Sequence, residues 1–332
     1  MTIAKELINK GAKMKFFDLF SGIGGFRMGL ESLGHQCVGF CEIDKFARAS
    51  YKAIYDTKGE IEYHDIRSVT DESIRGIGSV DIICGGFPCQ AFSVAGKRRG
   101  FEDTRGTLFF EIARFASILK PKYLFLENVK GLLNHNNGDT FETILTVLWE
   151  LGYDVEWQVL NSKDFGVPQN RERVFIIGHL RGEGTRNIFP IERNATKITT
   201  KVINDGHKPK IIQKGRGFNK GGVHTISPTL SSHSWHENNL LQVYDFYNKS
   251  YRDEVGTLTT AGHRGFTTMG TFGIKDDYRI RKLTPKECWR LQGFPDWAFE
   301  KAKEVNSNSQ LYKQAGNSVT VPVIQAIAKQ FE

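Results

Sequence analysis

The chain is poor in cysteine and has no long apolar run. Its five cysteines, Cys37, Cys41, Cys84, Cys89 and Cys288, are an odd number in 332 residues and show no paired zinc-type spacing. This argues against a disulfide framework and a metal site, and for a reducing compartment in which a thiol can do chemistry. No stretch approaches the roughly 18 apolar residues of a membrane span, and the N-terminal residues lack a secretory-signal pattern. The expectation is a soluble, cytoplasmic protein without a membrane partner. A chain of this length holds roughly one to three domains, enough to bury a full core.

Acidic residues are the scarcer charge, 37 against 45 basic ones, a net +8, and the imbalance is local. Residues 181–220 carry ten basic side chains, among them Lys208, Lys210 and Lys214, against three acidic ones. Such a patch is the electrostatic footprint of a phosphate backbone, and it is equally what a solvated basic face looks like.

From residue 14 to 179, short apolar runs alternate with helical patterns. The runs at 15–20, 38–41, 80–84, 123–126, 155–160 and 174–178 read as strands. Phe141, Ile144, Leu145, Leu148 and Leu151 recur at helical spacing, opened by Asp139 and Glu142 and closed by Gly152. The pattern predicts an α/β fold, a doubly wound and mostly parallel sheet with helices on both faces. From 181 to 280 the texture becomes rich in Gly, Ser, Thr and scattered aromatics, which reads as a second, smaller, loop-rich and β-leaning domain. Helical signals return with Thr284-Pro-Lys-Glu287, a capping box, and a closing helix over 319–331. The chain thus divides into an α/β part of 1–180 plus 306–332, a second module of 181–280 and a segment of 281–305 between them.

Four clusters carry chemistry. Phe20-Ser-Gly-Ile-Gly-Gly25 follows an apolar strand, so Gly22 and Gly24 permit a tight turn at the strand's carboxyl end, where open α/β sheets bind nucleotides. Arg27 stands where a dinucleotide fingerprint has its third glycine, which disfavours a nicotinamide enzyme. Glu42, twenty residues past Gly22, is placed to accept from ribose hydroxyls, and Asp65 from an adenine amino group. Pro88-Cys89-Gln90 follows another strand, with Lys97, Arg98, Arg99 and Arg105 close by in sequence; nearby cations raise a thiol's thiolate fraction. Glu127-Asn128-Val129 sets a carboxyl at a third strand end, facing the same crevice as a proton donor. Gln169-x-Arg171-x-Arg173 puts two guanidinium groups on one side of an extended segment.

Together with Arg281-Lys-Leu-Thr-Pro-Lys-Glu-Cys-Trp-Arg-Leu-Gln-Gly-Phe-Pro295 and Gln314-Ala-Gly-Asn-Ser-Val319, these clusters make six ordered matches. On them the chain resembles the cytosine carbon-5 DNA methyltransferases of the bacterial or phage restriction-modification type. The resemblance implies S-adenosylmethionine as cofactor, held by Phe20, Gly22, Gly24, Glu42, Ile43, Asp65, Ile66, Leu108, Asn317 and Ser318, with no metal. It implies a catalytic set of Cys89 as nucleophile at cytosine carbon 6, Glu127 at ring nitrogen 3, Arg173 at the base carbonyl and Arg171 bracing the site. Ile43 stands where the family often has an aromatic ring against adenine. The implied partner is double-stranded DNA bound by a monomer, with a flipped-out base and a cognate restriction endonuclease acting separately. The resemblance also implies that 1–180 plus 306–332 is the catalytic domain, 281–305 a hinge segment and 181–280 the target recognition domain, in which Thr229 and Thr257, each followed by leucine, are equal candidates to lie at the target base. Two rival readings keep part of the pattern: a transfer-RNA cytosine-5 methyltransferase, and a catalytically vestigial DNA-binding protein.

Overall fold

The structure, a computed structural model, describes residues 13–88, 108–192, 211–216, 219–224, 227–228, 239–241, 244–245, 250–251 and 283–331. Cys89, the basic residues 97–105, Lys208, Lys210, Thr229 and Thr257 lie outside these.

Eight strands and five helices build the first part of the chain: β1 Lys15–Leu19, α1 Gly25–Glu31, β2 Gln36–Cys41, α2 Lys45–Ile54, β3 Ile61–Tyr63, α3 Asp71–Arg75, β4 Ile82–Gly86, α4 Leu108–Leu119, β5 Tyr123–Val129, α5 Asp139–Glu150, β6 Tyr153–Asn161, β7 Gln169–Asn170 and β8 Glu172–Leu180. Seven of the strands form one sheet in the order β3-β2-β1-β4-β5-β8-β6. β1 to β5 are parallel, and β8 runs antiparallel between β5 and β6. The expected doubly wound, mostly parallel sheet is present. The order reverses at β1 and β4, which opens a crevice at the carboxyl ends of the strands.

Alternation along the strands makes two cores. Phe17, Leu19, Ile83, Leu124, Leu126 and Ile176 face α4 and α5, while Phe16, Ile82, Phe125, Phe175 and Ile177 face α1 and the last helix. With both faces covered, these strands have to be apolar throughout, which is why they appear as continuous runs. The strand expected at 123–126 is three residues longer, because β8 pairs with it through Glu127↔Phe175, Asn128↔Val174 and Val129↔Arg173. Glu127 and Asn128 therefore lie inside the strand and are held by its ladder, not beyond its end.

Short strands β9 Ile211–Arg216, β10 Asn219–His224, β11 Ser227–Pro228, β12 Asn239–Leu241, β13 Tyr244–Asp245 and β14 Ser250–Tyr251 follow. β9, β10 and β12 make an antiparallel sheet, and β11 pairs with β7. Four helices close the chain: α6 Pro285–Leu291, α7 Asp296–Val305, α8 Asn308–Asn317 and α9 Val321–Ala328. The capping box is formed, with Thr284 and Glu287 each accepting from the other's backbone amide. Leu283, Trp289, Phe294 and Phe299 share one cluster with Phe40, Tyr51 and Ile54. Residues 283–305, expected as a hinge, are thus packed against α2. α9 is shorter than the expected 319–331, since Pro322 fits only in its first turn and Lys329 closes it. Among the described residues no helix is long and apolar enough to cross a membrane.

Candidate active site

The crevice encloses about 550 Å³ and draws its walls from five strand ends. Phe20 and Gly22 come from the turn after β1, Glu42 and Ile43 from the turn after β2, Asp65 and Ile66 from beyond β3, Gly86 to Pro88 from β4, and Glu127 to Val129 from β5. Leu108, Arg171, Arg173, Gln314, Gly316 and Asn317 complete it. Residues from Phe20 to Asn317 meet because the parallel strands deliver their carboxyl ends to one edge, where the starts of α4 and β8 and the end of α8 join them.

The β1 turn has left-handed backbone at Phe20 (φ 53°), Gly22 (φ 56°) and Gly24 (φ 79°). The two glycines do different work. A Cβ on Gly22 would meet nothing within 4 Å, so its face is open toward a ligand; one on Gly24 would lie 2.4 Å from the Tyr55 ring. Gly24 is a packing position, and neither it nor Ser318 lines the crevice. Ser318 turns inward: its carbonyl accepts from Arg171 and its hydroxyl donates to the Val319 carbonyl.

Glu42 is anchored by two backbone amides, Gly22 N on Oε2 at 2.8 Å and Asp44 N on Oε1 at 2.7 Å. Burial pushes its carboxyl up, and these amides hold it down. Each oxygen keeps a second lone pair toward the crevice. Asp65 caps a short helical turn at Arg67 N and pairs with the Arg67 side chain at 2.7 Å, which keeps it below the usual carboxylate range. An open glycine face, a held carboxylate twenty residues on and apolar walls from Ile43, Ile66 and Leu108 are what a nucleoside needs, so these residues fit such a cofactor.

At the other end of the crevice Glu127 is buried, and burial raises its pKa against the pull of Arg173 and Arg171. Arg173 Nε lies 3.0 Å from Oε1 as an ion pair. Gly86 faces Glu127 across the ladder, and a Cβ there would come within 2.9 Å of Oε2. Arg171 is 3% exposed and donates to the carbonyls of Ser318 (2.9 Å) and Gly316 (3.3 Å). Burial, then the neighbouring charge of Arg173, bring its guanidinium down to about 9. The structure therefore brings Glu127, Arg171 and Arg173 together beside Pro88, the residue that precedes Cys89.

Other residues here were not singled out from the sequence. Asn128 donates from Nδ2 to the Phe87 carbonyl at 2.9 Å and so ties the start of the Pro88-Cys89 segment to β5. Gln292 joins Ala315 O, Gln169 and Thr320, and Thr320 reaches Ser162. The motif containing Asn128 was visible; the bond it makes was not.

The other four cysteines are buried free thiols, pushed up to about 12 (Cys37, Cys41, Cys288) or well above the ordinary value (Cys84) by burial. None of these four has thiolate character at neutral pH.

The model of the C-5 cytosine-specific DNA methylases matches residues 14–332. The chain belongs to this family. This methylase is 40% identical to the Type II methyltransferase M.HpaII of Haemophilus parainfluenzae, over 97% of this chain and 90% of that one. It is 37% identical to the Type II methyltransferase M.HhaI of Haemophilus parahaemolyticus, over 95% and 93%. In fold, the methylase resembles the Dnmt2 methyltransferase of S. pombe, with a TM-score of 0.61 at 18% identity over 96% of this chain and 97% of that one. A putative DNA modification methyltransferase from a prophage of E. coli gives 0.60 at 22%, over 96% and 98%.

Proposed function

We propose that this methylase transfers the methyl group of S-adenosylmethionine to carbon 5 of a flipped-out cytosine in a short duplex DNA site, acting as a monomer through a covalent Cys89 adduct. The observation that carries the reading is the joining, in one crevice beside Pro88, of a nucleoside cradle at Gly22 and Glu42 with the Glu127, Arg171 and Arg173 group.

The cofactor supplies an electrophilic methyl group next to the base. The protein's part is to make carbon 5 a nucleophile. The Cys89 thiolate forms a bond to carbon 6 as the electron pair of the carbon 5–carbon 6 double bond shifts to carbon 4–carbon 5 and that of the carbon 4–nitrogen 3 double bond takes up, at nitrogen 3, the proton held by Glu127. A carboxyl pushed up by burial is suited to carry that proton. Arg173 faces the base carbonyl, and Arg171, itself fixed by two main-chain carbonyls, keeps the group in register. Carbon 5 takes the methyl group, with the demethylated cofactor as leaving group; the carbon 5 proton then passes to water, the electron pair of that bond re-forms the carbon 5–carbon 6 double bond and expels the thiolate, and nitrogen 3 returns its proton to Glu127. Glu42 would accept from the ribose hydroxyls and Asp65 from the adenine amino group, while Phe20, Ile43, Ile66, Leu108 and Asn317 line the remaining walls.

Duplex DNA carrying 5-fluorocytosine at the target tests the covalent step, because fluorine cannot leave as the proton does. The expected result is a denaturation-resistant complex formed only with cofactor present, absent with Cys89→Ser, and not formed on transfer RNA. Cys89→Ser should abolish methylation while cofactor and DNA binding persist; turnover within about tenfold of wild type would sink the nucleophile assignment.

A further inference from the structure

The wall of the crevice at residues 42–44 has to be exact in shape, because Glu42 and Ile43 are adjacent and would present a carboxylate and an apolar face to the same nucleoside. Little packing holds it. Ile43 is 62% exposed, and it offers a small contact where an aromatic ring would offer a large one. The backbone here is instead tied from behind. Arg48, on the first turn of α2, is not a crevice residue. Its Nη1 donates to the carbonyl of Glu42 at 2.7 Å and to that of Ile43 at 2.8 Å. The guanidinium is only 16% exposed and is steadied from β3 by Glu62, 3.8 Å from Nε, which also pairs with Lys52 and His64. Lys313 adds a second tie through Asp44 at 2.7 Å.

We propose that Arg48 is a positioning residue that sets the affinity for S-adenosylmethionine: by holding both carbonyls it pre-organises the Glu42–Ile43 turn and offsets the thin adenine contact of an isoleucine. The inference rests on the cofactor reading above. Without the clamp, the turn keeps only its ties from Glu42 to the Gly22 and Asp44 amides and from Asp44 to Lys313, so part of its ordering falls to the moment of binding, a cost borne by cofactor affinity alone. DNA binding and the chemical step use other walls of the crevice.

The test is Arg48→Met, which keeps the stem and removes the donors, read by calorimetry with S-adenosylmethionine and with its demethylated product. The dissociation constants should rise about tenfold, with KM for cofactor rising in parallel, while KM for duplex DNA, kcat at saturating cofactor and the melting midpoint without cofactor stay within about twofold or a few degrees. Arg48→Lys, a single point donor, should recover part of the affinity, and Ile43→Trp in the Arg48→Met background should recover more by enlarging the adenine contact. Cofactor affinity unchanged in Arg48→Met overturns the inference. So does a matched rise in both KM values with a lowered melting midpoint, which would make Arg48 a general structural residue. Failure of the wild-type chain to bind either ligand would instead overturn the cofactor reading, and this inference with it.

Discussion

Glu127 on β5 and Asp18 on β1 are buried carboxyls with β4 between them, yet they answer to different surroundings. Glu127 meets two guanidinium groups, so Glu127→Gln should remove the proton delivered to the base and lower kcat by roughly 10²-fold with little change in DNA affinity, checked by single-turnover methylation and a binding titration. Equal losses in both would make it a structural residue. Asp18 sits under the crevice, fully buried, with Tyr51 OH 3.4 Å from one oxygen and Cys84 Sγ 3.7 Å from the other. Burial outweighs the Arg27 charge and these bonds and lifts its pKa from 3.8 to about 7. The folded state then holds a proton that the unfolded chain has released. Its contribution to stability is complete below the unfolded value and is lost as pH rises toward about 7. Between about pH 4 and pH 7 the wild type should therefore lose stability relative to Asp18→Asn in thermal unfolding; parallel curves would contradict the assignment. The residues proposed to face the substrate were visible in the sequence because an acid, a thiol and spaced arginines are rare types beside apolar runs. Arg48 and Asn128 were not. Each acts on main-chain carbonyls, which every residue possesses, so no partner side chain marks the pair in the sequence.

The turn after β1 shows how an element can carry two requirements in three residues. Gly22→Ala puts a methyl group into open space at φ 56°, so it should cost about 1–2 kcal/mol of stability and a larger share of cofactor binding. Gly24→Ala drives its methyl group into the Tyr55 ring, which is itself tied by its hydroxyl to the Gly24 carbonyl, and should cost about 2–4 kcal/mol. Denaturant unfolding and cofactor titration of the two variants separate these effects; identical profiles would refute the division. The strands were easy to find in the sequence, since a strand covered on both faces shows a run of apolar residues. Their directions were less plain. An apolar run reads the same either way, and the antiparallel course of β8 follows from the connection after β6, which is too short to carry a crossover helix back across the sheet. β3 makes no apolar run because its three residues are only half-buried.

At the scale of the whole molecule, the motifs lie outside 181–280 while the basic excess lies at its start. If that charge meets phosphates, neutralising Lys208, Lys210 and Lys214 together should weaken binding to every DNA sequence and flatten the salt slope by up to about three units. Exchange of the 181–280 stretch for a relative's should move the methylated site; an active hybrid faithful to the original site would defeat the assignment. The Arg171 anchor reaches further than the crevice. Its carbonyl partners at Gly316 and Ser318 lie 145 and 147 positions later in the chain. During translation the ribosome delivers Cys89, Glu127 and Arg171 well before it makes the residues that hold Arg171 in place. Until synthesis has passed residue 318, a growing polypeptide therefore holds Glu127 without the two carbonyls that fix Arg171 beside it.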